Sequence, residues 1–195
     1  MTSHASRKHV HSIVPDAAKR ERNDFYRTPE WVTAALMVRE TFPGPILEPA
    51  CGDGAISKML EARGNVVISS DLVDHGYGTP GVDFMNSLYK VEIGSIVTNP
   101  PFRLIESFVH RALQIATHKV AILGRLLWLE GAGRRDSIFD GHTPLARVYV
   151  ISERANIARQ DDEHRDTDGR GGMIAYAWYL WDKKNYNGTT EVKWI

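Results

Sequence analysis

The chain has 195 residues, 43% of them hydrophobic, with Lys+Arg and Asp+Glu balanced at 24 each. This is enough for one domain with a full core, and the zero net charge excludes a global field drawing the chain onto nucleic acid or membrane, while leaving room for local basic patches. One cysteine excludes an internal disulfide, and no run is apolar enough for a bilayer span or a signal peptide, so a soluble cytoplasmic protein with no membrane partner is expected.

Residues 1–22 read as a flexible basic arm, with Arg7, Lys8, Lys19, Arg20 and Arg22 set against Asp16 and Glu21. A solvated terminus explains them better than a DNA-binding arm, and His9 and His11 lack metal-ligand spacing. Order begins near "DFYRTPEWVTAALMVRE", where Thr28 suits an N-cap and Pro29 the first helical position. Trp31, Ala35 and Val38, with Val32 and Leu36 beside them, mark an apolar face of that helix. "PILEPA" is a short strand, "AISKMLEARG" a helix stopped by Gly64, and "NVVISSD" a second strand. "IGSIVTN" is another strand, followed by the helix "LIESFVHRALQIATH" with Leu104, Ile105, Phe108, Ala112 and Ile115 on one face. "KVAILGRLLWL", "ARVYVIS" and "IAYAWYLW" are later strands, and "NYNGTTEVKWI" a turn and a last strand.

Strands that alternate with helices and read as near-continuous apolar runs imply an α/β fold with a mostly parallel sheet covered on both faces. Ligands of such sheets sit at the carboxyl ends of the strands. The chemically unusual segments fall there.

"EPACGDGAIS" is a strand, a tight loop and a helix, and Gly52 and Gly54 allow close approach of a ligand to the backbone. No Gly-Lys-Ser/Thr follows, so this is not a Walker loop. Glu48 and Asp53 repel phosphate and suit a cation, which points to a nucleoside-like ligand without a large phosphate group. Asp71, ending the next strand, sits where an acid holds ribose hydroxyls. Asp83 and Phe84 offer an acceptor for an exocyclic amine and a ring edge for a purine. Cys51 has no evident base beside it and reads as a small residue in a crowded loop.

"IVTNPPF" ends a strand on an asparagine and two prolines. The Asn99 side-chain oxygen accepts one hydrogen bond, and the Pro100 carbonyl, aimed by restricted φ angles at Pro100 and Pro101, accepts another. Two converging acceptors are what an aromatic amine needs. Its lone pair is delocalised into the ring, and accepting both N–H bonds draws the nitrogen towards a tetrahedral, nucleophilic geometry. Phe102 gives a flat face for a purine.

"NPPF", "EPACGDG" and "DFYRTP" together resemble the S-adenosylmethionine-dependent N6-adenine DNA methyltransferases, in the motif order of the gamma group and at the length of phage and prophage members. The resemblance covers about residue 23 to the end, with "WLEG", "RRDSIF" and "YAWYLWDK" adding to it. It implies a Rossmann-like methyltransferase fold, a seven-stranded sheet with an antiparallel late strand, and a single catalytic domain over residues 23–195 without a separate target-recognition domain. It implies S-adenosylmethionine as cofactor, with Tyr26, Thr28 and Pro29 enclosing its methionine end. Glu48, Ala50, Cys51, Gly52, Asp53, Gly54 and Leu72 would line it, Asp71 would hold the ribose, and Asp83 and Phe84 the adenine. Asn99, Pro100, Pro101 and Phe102 would form the catalytic turn, with Asn99 also touching the cofactor. Relatives often carry an Arg-Pro-x-Phe element after the sixth strand; here "ERANI" puts Ala155 and Ile157 at those places, so Ile157 would meet the target base.

DNA, double- or single-stranded, is the expected partner. Arg125, Arg134 and Arg135 lie near strand ends where a phosphate backbone would pass. The loop "ISERANIARQDDEHRDTDGRGG", with Arg154, Arg159, Arg165 and Arg170, reads as a lid. Tyr176, Trp178, Tyr179 and Trp181 alternate as core residues of a strand do. The same turn also occurs in families that modify RNA bases or protein glutamine amides, and a catalytically silent nucleic-acid-binding module is the reading of another class.

Overall fold

The structure, a computed structural model, describes residues 25–139, 143–157 and 171–195. The amino-terminal arm with His9 and His11, and Arg159, Arg165 and Arg170 of the charged loop, lie outside the described residues.

The described elements are α1 (Glu30–Arg39), β1 (Ile46–Glu48), α2 (Ala55–Glu61), β2 (Val67–Ser69), β3 (Ser95–Thr98), α3 (Ile105–Ile115), β4 (Lys119–Arg125), α4 (Ala132–Ser137), β5 (Leu145–Val150), β6 (Tyr176–Asp182) and β7 (Glu191–Trp194). Seven strands make one sheet in the order β2-β1-β3-β4-β6-β5-β7. The late strand β6 is antiparallel to both β4 and β5, and every other pairing is parallel. The expected mixed α/β sheet is therefore the one that forms. Strand order reverses between β1 and β3, which opens a crevice beyond their carboxyl ends.

Two core layers follow from the period of two along the strands. Ile46, Val97, Leu123, Trp178 and Leu180 enter the layer that also buries Val32 and Leu36 of α1 and Ile56 and Leu60 of α2. Leu47, Ile96, Ile122, Tyr179 and Trp181 enter the opposite layer, with Ile105, Phe108 and Ala112 of α3. The aromatic run of β6 is thus core, as its alternation suggests. Its polar atoms are satisfied: Trp178 Nε1 donates to the Val32 carbonyl at 3.0 Å and Tyr179 Oη to the Arg125 carbonyl at 2.9 Å.

Several local expectations need correction. Pro29 is the N-cap of α1, and Thr28 makes no capping bond because its hydroxyl accepts from Asn99 instead. Val38, two positions past Leu36 and so on the far side of the helix, is exposed rather than buried. In α3, Leu104 precedes the helix and is exposed, and Val109 takes the buried place. "KVAILGRLLWL" is not one strand: β4 stops at Arg125 and the chain enters a 3-10 turn over Leu126–Leu129, with the Leu126 N–H donating to the Ala175 carbonyl at 2.8 Å.

At the amino ends of the parallel strands lies a buried ionic network that nothing in the sequence pattern announced. Glu40 accepts from Lys119 Nζ at 2.7 Å, from Arg147 Nε at 2.6 Å and from Tyr149 Oη at 2.5 Å, and Arg147 also reaches Asp182 at 3.3 Å. Burial alone would raise the Glu40 carboxyl; the bonds from Lys119, Tyr149 and Arg147 and the Lys119 charge hold it below the usual glutamate range.

Among the described residues no helix is long and apolar enough to cross a membrane.

Candidate active site

The glycine loop forms because positive φ is needed twice: Gly52 has φ 52° and Gly54 φ 80°, and α2 starts at once with Ala55. Asp71, just beyond β2, clamps this loop. Its Oδ2 accepts the Gly52 N–H at 2.9 Å and its Oδ1 the Val73 N–H at 3.0 Å. A carboxylate has about four lone-pair sites, so room remains for a ligand diol. A methyl at Gly52 would lie 2.0 Å from the Phe25 ring, which rests on the loop and stacks on His75 at 4.4 Å between centroids.

The cleft beyond the strand ends is walled by Tyr26, Thr28, Glu48, Ala50, Cys51, Asp53, Asp71, Asn99 and Pro101 from the expected residues. Phe25, Arg27, Ala55, Ile56 and His75 complete the wall; of these only the "DFYRTP" element gave a sequence signal. Pro29, Gly52, Gly54, Leu72, Asp83, Phe84, Pro100 and Phe102, also expected at the site, are not part of its wall. Phe84 is 3% exposed and packs on Phe108 at 4.9 Å, since an apolar ring at the end of this turn gains more from the α3 layer than from the cleft. The Asp83 carboxylate holds its own turn, accepting from the Met85 N–H at 2.9 Å and Asn86 Nδ2 at 2.6 Å.

Three carboxylates converge here. Glu48, 1% exposed, takes a hydrogen bond from Ser57, and burial pushes its carboxyl well above the usual range despite that bond. Asp53 Oδ2 pairs with Arg27 Nε at 2.6 Å, while Asp53 Oδ1 is buried without a hydrogen-bond partner among the described residues. Burial, reinforced by Glu48 and Asp71, pushes the Cys51 thiol up to about 12, which leaves it inert as a nucleophile.

Asn99 follows β3 and leans across the cleft. Its Nδ2 donates to the Tyr26 carbonyl at 3.0 Å and to Thr28 Oγ1 at 3.0 Å. A carbonyl only accepts, so the amide cannot be turned over, and Oδ1 is held on the other side, buried and without a partner among the described residues. Pro101 faces the same cleft, and its carbonyl accepts the Leu104 N–H at 2.8 Å, which turns the chain into α3. Phe102 packs on Tyr26 and Tyr176, with ring centroids 5.5 and 5.8 Å away.

The expected nucleic-acid contacts are scattered. The Arg125 guanidinium lies over the Phe102 ring at 5.1 Å. Arg134 is spent on the backbone: Nε donates to the Trp128 carbonyl at 2.8 Å and Nη2 to the Glu130 carbonyl. Arg135 is exposed and paired with its neighbour Asp136, and Arg154 Nη1 holds the Met173 carbonyl at 3.0 Å. Ile157 is 7% exposed and sits in the core layer against which Tyr26 and Phe102 pack, so it offers no surface to a base here.

No protein-family model matches the chain, and no curated protein sequence matches it. Solved structures do. A chain described as a modification subunit of a type I restriction enzyme from Vibrio vulnificus YJ016 superposes with a TM-score of 0.55 at 15% identity, covering 85% of this chain and 45% of that one. One described as a class I S-adenosylmethionine-dependent methyltransferase from Listeria monocytogenes gives 0.57 at 12% identity, over 85% of this chain and 62% of that one. The 23S rRNA methyltransferase ErmE gives 0.54 at 14% identity, over 83% and 70%. The chain thus spans about half to two thirds of the length of the first two. At these identities the likeness establishes the fold, which is the Rossmann-like fold of methyltransferases.

Proposed function

We propose that the protein is an S-adenosylmethionine-dependent methyltransferase whose acceptor is the N6 amine of adenine in DNA. The observation that carries this reading is Asn99 on the cleft wall: its amide is tied down through the nitrogen, which leaves a buried oxygen with no hydrogen-bond partner among the described residues.

The cleft residues fit the cofactor. The Asp53 and Asp71 carboxylates, with the Glu48 carboxyl on the same wall, suit a ligand bearing an ammonium and a sulfonium, and Asp53 Oδ1, without a partner among the described residues, awaits a donor. Asp71 stands at the β2 end, where a ribose diol would reach it. When bound, S-adenosylmethionine supplies an electrophilic methyl group on a sulfonium centre. Asn99 Oδ1 and the Pro100 carbonyl accept the two amine N–H bonds and bring the nitrogen lone pair out of conjugation. Orientation and pre-placed acceptors lower the barrier, and the proton leaves after the N–C bond forms. Phe102, braced by Tyr26 and Tyr176, fixes the plane beside which the flipped base lies.

The test is transfer of labelled methyl from S-adenosylmethionine to separate DNA, RNA and protein pools. Label in DNA, lost with Asn99→Ala, is expected. Label only in RNA or protein moves the acceptor to a different planar nitrogen, and no label anywhere removes the activity.

A further inference from the structure

The turn at Asn99–Phe102 has two sides. Asn99 and Pro101 face the glycine-loop cleft, while Phe102 faces a second cavity of about 280 Å3. Ile105, Arg125, Leu127, Trp128 and Glu130 make up most of the rest of that cavity's wall. A space of this size admits a nucleobase, and the reacting amine of a base lying there would meet the turn that separates the two pockets.

Trp128, on the wall of the same cavity, is firmly fixed. Trp128 meets Tyr179 at 4.9 Å and 82°, Phe139 at 5.2 Å and 75°, and Trp181 at 6.4 Å and 68°, three edge-on contacts that set its ring plane. Arg134, which also lines the cavity, holds the backbone carbonyls of Trp128 and Glu130. Leu127 stands at the mouth with 66% exposure, and Ile157 lines neither pocket. On the Phe102 side, the Arg125 guanidinium covers the ring. A flat, delocalised cation over an aromatic face occupies the place that a stacked base would take.

Resting on the methyltransferase reading above, we propose that this cavity receives the acceptor ring, with Trp128 as its second aromatic wall and Arg125 as the group that yields its place on Phe102 when a purine enters. Trp128 thereby does what the aromatic of the Arg-Pro-x-Phe element does not do in this chain. Arg125, which also hydrogen-bonds Tyr176, can then turn N–H donors of its guanidinium to the ring nitrogens or the phosphate of the extruded nucleotide.

The experiment is steady-state transfer to a random-sequence DNA oligonucleotide pool by the full chain, alongside binding of S-adenosylmethionine alone. Stacking of one base on an aromatic side chain is worth roughly a five- to hundred-fold change in affinity. Trp128→Leu should raise KM for the oligonucleotides about ten-fold or more, Trp128→Phe should restore most of it, and cofactor affinity should stay within about two-fold. Because Trp128 is largely buried, Leu127→Trp provides a variant that need not disturb folding: filling the mouth should raise KM likewise. Unchanged KM in Leu127→Trp and in folded Trp128→Leu overturns the assignment while leaving the methyltransferase reading intact. A wild-type chain that methylates no nucleic acid overturns both.

Discussion

The Asn99 side chain is anchored by Tyr26: Nδ2 lies 3.0 Å from a carbonyl 73 positions earlier in the chain. This bond, with its companion to Thr28, joins the "FYRTP" segment to the Asn99–Phe102 turn and decides which way the amide points. Asn99→Ala should cut methyl transfer about a hundred-fold or more while leaving cofactor affinity nearly unchanged, measured by single-turnover transfer and by titration with S-adenosylmethionine. Unaltered transfer would remove Asn99 from the chemistry.

Thr28→Val keeps the shape and removes one of the two acceptors that hold the amide. The loosened amide should lower kcat about ten-fold with KM little changed, since the oxygen acts on the amine in the transition state more than in the ground state. An equal rise in KM without loss of kcat would make Thr28 a binding residue only.

Burial pushes the Glu48 carboxyl well above the usual glutamate range in the cofactor-free protein. A cationic ligand favours the ionised form, so binding should release a proton, and affinity for S-adenosylmethionine should rise as pH rises towards the raised Glu48 value. Calorimetry in buffers of different ionisation enthalpy reads the proton directly. Glu48→Gln should abolish this release; a release that persists in the variant assigns the proton elsewhere.

The Glu40 network sets acid stability. Its carboxyl lies below the usual range when folded, so its contribution is complete above the unfolded value and disappears as pH falls through the lowered folded value. Thermal midpoints should therefore fall on acidification more steeply in the wild type than in Glu40→Gln. Lys119→Met leaves buried Glu40 with fewer partners and should cost about 3–5 kcal/mol in denaturant unfolding.

Ile157→Phe separates the two views of that position. In the buried site found here, the larger ring overpacks the core and should cost about 1–3 kcal/mol of stability, with the rate per folded molecule and the base preference unchanged. A changed base preference with undiminished stability would return Ile157 to the acceptor.

What the sequence made legible follows short-range rules. The alternation of "YAWYLW" predicts two buried faces, and both are there. Gly52, Asp71 and Asn99 fall at strand ends because loop geometry and strand length are written locally. The rest depends on contacts between distant segments. Glu40 meets Lys119 and Arg147 from 79 and 107 positions away, and no local pattern marks that meeting. Arg134 has the composition of a phosphate contact, yet two carbonyls in its own turn claim its donors. Phe84 and Ile157 match site positions in order but belong to the core, because packing of α3 and of the β6 layer decides where their apolar surface goes. Phe25 on Gly52, with His75 behind it, depends on how the 71–79 loop folds back, which only the three-dimensional structure displays.

The central claim is that the oxygen of Asn99 activates an adenine amine for methylation. The measurement that tests it most directly is base-resolved mapping of modified nucleotides after incubating the wild-type chain and Asn99→Ala with S-adenosylmethionine and DNA containing all short sequence contexts. The account predicts N6-methyladenine in the wild-type reaction and none above background in the variant. Methylation of another base or another polymer, or N6-methyladenine formed equally by the variant, would contradict it.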